Sequence, residues 1–200
     1  MTREETAWFE RLYAAAEAGE AEVPWHRGRP NPFLEQWVRE HSPDGTGRTA
    51  LVIGTALGDD AELLAARGFA VTAFDISPTA IEGARRRFPD STVDYRVADL
   101  LELPAEWRGA FDLVAEAITV QALPLSLRDQ AIDAIAATVA PGGTLVVVSG
   151  IWYGGGPRDG PPWPLTRAEL DRFSLTLRPV SVDVARIGSE ARWRGVYTRS

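Results

Sequence analysis

Leu51-Val52-Ile53-Gly54-Thr55-Ala56-Leu57-Gly58-Asp59-Asp60 is the stretch on which the reading of the chain turns. An apolar run rich in β-branched residues ends in small ones and passes directly into acids that open a helix. Strand, glycine turn and helix in that order form the opening unit of an open α/β sheet. Ligands of such sheets sit at the carboxyl ends of the strands. Small residues at the turn let the backbone approach a ligand closely. The same sequence also serves as a bare connection with Asp59 or Asp60 capping the helix, so the neighbouring segments decide.

Downstream, strand-like and helix-like runs alternate. Asp59–Arg67 reads as a helix, Phe69–Phe74 as a strand, Pro78–Phe88 as a helix and Val93–Val97 as a strand. Phe111–Ala115 is the next strand. A helix follows over about Ser126–Val139, and Pro141-Gly142-Gly143 then turns into the strand Thr144–Ser149. This alternation predicts a parallel sheet with helices on both faces. The chain ends differently. After a short helix at Leu165–Phe173, two β-rich runs, Leu177–Ile187 and Arg192–Thr198, are separated by Gly188-Ser189-Glu190-Ala191. They predict an antiparallel hairpin. Upstream, residues 3–18 read as an amphipathic helix. The proline-rich segment Pro24–Pro32 interrupts it, and a second helix runs over Phe33–Glu40 before His41-Ser42-Pro43-Asp44-Gly45 breaks the chain. The expected fold is α/β: a Rossmann-like, mostly parallel seven-stranded sheet, helices on both faces and a C-terminal antiparallel hairpin. Residues 1–200 read as one domain, with 1–47 as an N-terminal helical segment and 48–200 as the core. Gly154-Gly155-Gly156-Pro157 reads as a mobile loop within it.

Composition narrows the function. The 200 residues, 45% hydrophobic and 24% charged, suit a globular chain with a full core. A net charge of −7 disfavours nucleic acid, because phosphate contacts need clustered cations. The one basic run, Arg85-Arg86-Arg87, falls at a helix end, where it complements the dipole. No apolar run approaches the roughly 20 residues of a membrane span. The polar, acidic start carries no signal-peptide core. A cytoplasmic protein is expected, without membrane or nucleic-acid partners; the sequence leaves its oligomeric state open. The absence of cysteine excludes disulfides and thiolate chemistry. All 21 Lys+Arg residues are arginine, which excludes Schiff-base chemistry. With only His26 and His41, no metal site is expected.

Acids close the expected strands. Asp75 ends the second strand about 20 residues past the glycines, a position suited to two ribose hydroxyls. The following helix already has Ser77-Pro78 as its start signal. Asp99, after the third strand, can accept from an amino group such as adenine N6. Glu116 ends the fourth strand, facing the expected crevice. A dinucleotide fingerprint would need Gly-x-Gly-x-x-Gly. Here the second and third glycines are replaced by Ala56 and Asp59, and a carboxylate there would repel a pyrophosphate. A sulfonium cofactor has no phosphate, so S-adenosylmethionine fits better than NAD.

These motifs resemble the class I methyltransferases and, within them, the thiopurine S-methyltransferase and halide/thiol methyltransferase family. Four segments carry the resemblance across most of the chain. The first runs from Trp8-Phe9-Glu10 to Pro24-Trp25-x-x-Gly28-Arg29-x-x-Pro32, and the second from the glycine turn to Asp75. The third is Phe111-Asp112-Leu113-Val114-x-Glu116 with Ala122-Leu123-Pro124 and Arg128. The fourth is Gly160-Pro161-Pro162-Trp163-x-Leu165-Thr166. The resemblance implies that residues 1–47 cap the cofactor site. It implies that Trp25 packs near the sulfonium, that Gly28 and Arg29 help close the segment, and that Gly54 and Gly58 flank the methionine part with Thr55 and Ala56. It further implies that Asp75, with Ile76, holds the ribose, that Asp99 and Leu100 hold the adenine, and that Glu116 sits beneath the transferring methyl. Arg128 and Phe33 would contact the acceptor.

The family's Gly-Cys-Gly-type turn reads Gly54-Thr55-Ala56 here, so the Ala56 methyl would crowd the cofactor. The family's Asp after Trp25 is His26, suited to proton removal if it faces the pocket. Trp152, Tyr153 and Trp163 flank the glycine-rich loop as an aromatic lid. The expected function is methyl transfer to a small-molecule acceptor through S, N, O or halide, with Glu116 and His26 as candidate catalytic groups and S-adenosylhomocysteine as product. The alternatives are a catalytically idle methyltransferase-like binding module and, third, an NAD-dependent reductase.

Overall fold

The computed structural model describes residues 2–155 and 160–200, so part of the expected glycine loop, Gly156-Pro157, lies outside the described residues. Seven strands form one sheet: β1 (Thr49–Ile53), β2 (Ala70–Asp75), β3 (Asp94–Val97), β4 (Phe111–Ala117), β5 (Val139–Ser149), β6 (Arg178–Ile187) and β7 (Glu190–Thr198). Their order is β3-β2-β1-β4-β5-β7-β6. Strands β1 to β5 run parallel, and β7 pairs antiparallel with both β5 and β6. The order reverses between β1 and β4, so the crevice of an open sheet falls at their carboxyl ends.

Strand alternation sorts the core into two layers. Leu51, Ile53, Val114 and Val147 pack on one face with Ile132 and Ile135 of α6 (Arg128–Thr138). Ala50, Val52, Leu113 and Val146 pack on the other. There they meet α2 (Pro32–His41), α3 (Asp59–Ala65) and α4 (Pro78–Arg87). Sheets covered on both faces need such unbroken apolar runs. Each fully buried aliphatic side chain contributes about 1.5–3 kcal/mol. Local signals set the helix starts. Ser77 caps α4 by accepting from the Ala80 N–H at 3.0 Å, and Asn31 caps α2 by accepting from the Phe33 N–H at 3.0 Å. Thr166 and Glu169 form a capping box on α7 (Arg167–Asp171). No described helix is long and apolar enough to cross a membrane.

Several boundaries differ from expectation, among them the end of β4, which runs to Ala117. The Pro141-Gly142-Gly143 turn is a bulge inside β5. Register steps from Phe111↔Val139 to Leu113↔Thr144, and Gly143 lies against the Phe111 carbonyl, where a Cβ would stand 2.8 Å away. The hairpin turn is only Gly188-Ser189, so β7 starts at Glu190 and includes Arg192 two residues in. The helix expected over Leu165–Phe173 is a short α7 continued by a 3-10 turn, Arg172–Leu175.

Helix α1 (Thr2–Glu17) and the strap after it lie over the carboxyl edge. Glu10 fastens α1 to the start of α4, accepting from the Ser77 hydroxyl at 2.5 Å and the Thr79 hydroxyl at 2.6 Å. Burial pushes the Glu10 carboxyl up, but these hydrogen bonds outweigh it and hold the group below its ordinary value.

Candidate active site

The three small residues of the first turn are small for different reasons. Gly54 has φ +60, and a Cβ there would stand 2.4 Å from the Thr119 hydroxyl, which donates to the Ile53 carbonyl at 3.0 Å. Ala56 also lies in the left-handed region, φ +51, and its N–H donates to Asp75 Oδ2 at 3.0 Å. A residue with a Cβ costs about 1–2 kcal/mol in that conformation. Gly58, φ +94, leaves room for the Tyr95 hydroxyl, 2.4 Å from where its Cβ would be. Gly58, expected to flank the methionine part, lines neither cavity of the crevice and gives room to Tyr95. Thr55 lines the larger cavity, and its buried Oγ1 has no hydrogen-bond partner among the described residues.

Two cavities occupy the crevice. The inner one, about 70 Å³, is apolar and enclosed by Phe9 and Tyr13 of α1, Phe74, Ile76, Leu100 and Leu101. Asp75 and Asp99 supply its carboxylates. Asp75 is 6% exposed; its Oδ1 accepts from the Ser77 N–H and its Oδ2 from the Ala56 N–H, both at 3.0 Å. Each oxygen keeps a lone pair for a ligand donor, so the group fits a vicinal diol. Burial pushes its pKa up to about 6 against the lowering effect of these amides. Asp99 Oδ1 accepts from the Leu101 N–H at 2.9 Å, which starts a 3-10 turn and sets Leu100 against the cavity.

The outer cavity is a cleft of about 460 Å³, within the usual range for small-molecule sites. His26, Arg29, Phe33, Ala56 and Tyr153 line it, as do Arg27, Asp59, Asp60, Gln121 and Arg192. Asp59 forms a bidentate pair with Arg87, both contacts 2.8 Å, and stands 3.7 Å from His26 Nδ1. Asp60 accepts from the Asn31 N–H at 2.6 Å, and burial pushes its pKa up to about 6.

Trp25, Gly54, Ala117 and Ile118 border both cavities and form a neck between them. The Trp25 indole N–H donates to the Tyr13 hydroxyl at 2.8 Å, fixing its ring edge-on to Trp8 and Phe9. Ile118 has φ +73. For a β-branched residue that conformation is an outlier, and such strain gathers at functional sites.

Besides Gly58, four expected site residues lie elsewhere. Glu116, expected beneath the methyl, lines neither cavity. It is 1% exposed, and its Oε1 accepts from the Val120 N–H at 2.9 Å at the start of α5 (Thr119–Ala122). Burial pushes its pKa up to about 7. Strand alternation turns it into the core while Ala117 faces the crevice. Arg128, expected at the acceptor, is 1% exposed. It is held by Glu169 at 2.6 Å, the Trp163 carbonyl at 2.7 Å and the Gln121 carbonyl at 3.2 Å. It ties the Gly-Pro-Pro-Trp segment to α5 and α6. Gly28 and Trp152 also line neither cavity. Of the expected aromatic lid, only Tyr153 borders the cleft, at 77% exposure.

Sequence reading missed Ile118, Tyr13, Asp60, Arg27, Gln121 and Arg192. Arg27 sits inside a segment already singled out, and Asp60 inside the first turn. Arg192 had no local signal, because only the sheet order brings β7 beside β5. Among the described residues, no group of three or more His, Asp or Glu is placed to hold a metal.

Residues 50–143, from β1 to the bulge of β5, match the family model of a methyltransferase domain. A ubiquinone biosynthesis O-methyltransferase of Xanthomonas campestris pv. campestris (strain B100) is 37% identical over 101 residues, 50% of this chain and 41% of that one. The chain spans less than half the length of the curated relatives it matches. A protein from the structural work on conversion of a disulfide bond into a thioacetal group in echinomycin biosynthesis shares 25% identity. It superposes with a TM-score of 0.77, covering 96% of this chain and 93% of that one. The N-methyltransferase NodS of Bradyrhizobium japonicum WM9, solved with S-adenosylhomocysteine, superposes with a TM-score of 0.71 at 23% identity, covering 95% and 98%. The fold is the Rossmann-like methyltransferase fold. The domain match and the shared fold support S-adenosylmethionine as the cofactor. The match covers the methyltransferase class and stops short of the thiopurine and halide/thiol branch.

Proposed function

We propose that this chain, whose residues 50–143 form a class I S-adenosylmethionine methyltransferase domain, transfers a methyl group to a small acceptor held in the outer cleft. One observation carries the reading: two cavities of different chemistry meet at a single neck of Trp25, Gly54, Ala117 and Ile118. The lining of the inner one carries the groups a nucleoside would use, with Asp75 for ribose hydroxyls beside Ile76, and Asp99 with Leu100 for the adenine. The backbone at Gly54-Thr55-Ala56 borders the methionine part, with Asp60 for its ammonium and Arg29 for its carboxylate. Trp25 offers an aromatic face to a cation at the neck.

When bound, S-adenosylmethionine supplies an electrophilic methyl on a positively charged sulfur. The chain's own part is alignment, exclusion of water and removal of a proton. Trp25 and Ile118 narrow the neck so that an acceptor in the cleft faces it. Phe33 forms a wall of that cleft. His26, beside Asp59, receives the proton of a hydroxyl acceptor. Among S, N, O and halide acceptors, oxygen has the most support, because the curated relatives are O-methyltransferases and a base borders the cleft. A thiolate or halide would need no base; the Pro24-Trp25 and Gly-Pro-Pro-Trp segments, which resemble the thiopurine and halide/thiol branch, favour that variant. Glu116 acts as a positioning residue, holding the Ile118-Thr119 turn through α5.

Titration with S-adenosylhomocysteine should give one site per chain. A phenol panel assayed by S-adenosylhomocysteine release should show turnover. Failure of folded protein to bind S-adenosylhomocysteine overturns the reading. A binding-only module is favoured by the Ala56 methyl and the burial of Glu116; binding without turnover across phenols, thiols, heterocycles and halides would establish it. A nicotinamide reductase finds less support, since Asp59 and Asp60 stand where a pyrophosphate would have to lie.

A further inference from the structure

The outer cleft separates its charges. Its acids, Asp59 and Asp60, both belong to the start of α3, and Asp59 is neutralised by Arg87. Its cations, Arg27, Arg29 and Arg192, come from the strap and the terminal hairpin. If Arg29 meets the cofactor carboxylate, two guanidiniums remain at the mouth. They share one counter-charge: Glu190 lies 3.6 Å from Arg27 and 3.3 Å from Arg192. Among the described residues, neither has another acidic partner. Arg192 also stands over the Phe33 ring, 5.7 Å from its centroid, and Phe33 is a buried wall of the same cleft. Guanidinium forks match carboxylates in geometry and remain charged at any working pH. Tyr153, exposed at the rim, gains burial if a flat ring covers it.

We infer that the methyl acceptor is a flat aromatic molecule carrying a carboxylate, docked on Arg192 and Arg27 with its ring against Phe33 and Tyr153. The inference rests on the methyltransferase reading above and names the acceptor class for the same site. The carboxylate points outward to the hairpin, and the nucleophile points inward to the neck. Glu190 then acts as a competitor for the anion rather than as a ligand.

The test is calorimetric titration of the full chain saturated with S-adenosylhomocysteine, using 4-hydroxybenzoate and its uncharged analogue 4-hydroxybenzamide. The acid should bind about tenfold more tightly than the amide, as one charge-assisted contact allows. Arg192→Gln should remove that preference, and an unchanged S-adenosylhomocysteine affinity in the same variant shows that the fold is intact. Glu190→Gln should tighten the acid several-fold by freeing both guanidiniums, an effect that a purely structural role for the pair would not give. Equal or tighter binding of the amide, an acid affinity unmoved by Arg192→Gln, or binding of neither probe while S-adenosylhomocysteine binds overturns the inference and leaves the methyltransferase reading standing. Loss of S-adenosylhomocysteine binding itself overturns both.

Discussion

The inner cavity and the outer cleft share a neck but are built on different plans. The inner cavity is made almost wholly from strand ends and the turns that follow them, with α1 laid across. Its polar groups, Asp75 and Asp99, are locked by backbone N–H donors. The outer cleft draws on segments far apart in the chain: the strap at Pro24–Phe33, the turn at Gly54–Asp60, Pro162 and Pro164, and the hairpin tip at Ala191-Arg192. Its acids are held by the Asn31 N–H and by Arg87, but its cations, Arg27, Arg29 and Arg192, sit on long side chains. The first plan suits an invariant ligand and the second suits a variable one. A fold can thus keep its cofactor chemistry while its acceptor changes.

Substitutions on either side of the neck can break that division. The largest effect should come from the outer side. His26→Gln should lower kcat for a phenol acceptor by about 10²–10⁴-fold, the usual contribution of a general base, while leaving S-adenosylhomocysteine affinity unchanged. An equal loss with a thiol acceptor would remove the base role. On the inner side, Asp75→Ala should weaken S-adenosylhomocysteine by roughly 1–3 kcal/mol as charged hydrogen bonds are lost. Unchanged affinity in a calorimeter would take Asp75 out of the ribose site.

A third effect concerns stability. Burial raises the carboxyls of Asp60 and Asp75 to about 6 and that of Glu116 to about 7. In the unfolded chain these groups titrate near 4, so between about pH 4 and 7 the native state holds more protons. Stability contributed this way is complete below the unfolded values and is lost as pH rises through the folded ones. The ligand-free protein should therefore melt several degrees higher near pH 5.5 than near pH 7.5, given about 2–4 °C per kcal/mol for a domain of this size. Glu116→Gln should flatten that difference while its amide oxygen keeps the Val120 contact. A profile unchanged in the variant would show that Glu116 is ionised by other means. The smallest effect is expected in the first turn, beside the neck. Ala56→Gly relieves a left-handed residue but loosens the unfolded chain, for a net gain of about 0.5–1 kcal/mol in chemical denaturation. A loss would mean that the Ala56 methyl has a packing role.

The same division governs what could be read from sequence. The β1 turn, Asp75 and Asp99 were legible because period-2 runs and turn residues locate strand ends, and strand ends locate the inner cavity. The parallel sheet and its terminal antiparallel hairpin followed from the alternation, while the strand order that sets β7 between β5 and β6 did not. Glu116 lies in the core because β4 runs on to Ala117, so residue 116 is still inside the strand and shares the inward face of Val114, whereas the expected strand ended one residue short of it. Arg128 failed because nothing local separates a cation aimed at a ligand from one that collects Glu169 and two carbonyls inside the core. Ile118 was missed because nothing in the propensity of isoleucine signals a left-handed backbone. Arg192 depended on which strand pairs with β5.

The Glu10 fastening has a kinetic consequence. With α1 pinned to the start of α4 over the inner chamber, the shared neck joins the two chambers, and on the proposed reading an acceptor in the front chamber blocks that way out of the rear. Arrival and departure are then ordered: the rear occupant enters first and leaves last. Initial-rate lines should intersect, and high acceptor concentration should slow turnover by stranding spent cofactor behind it. Cutting the fastening with Glu10→Ala should give the rear chamber a second door and relieve that inhibition.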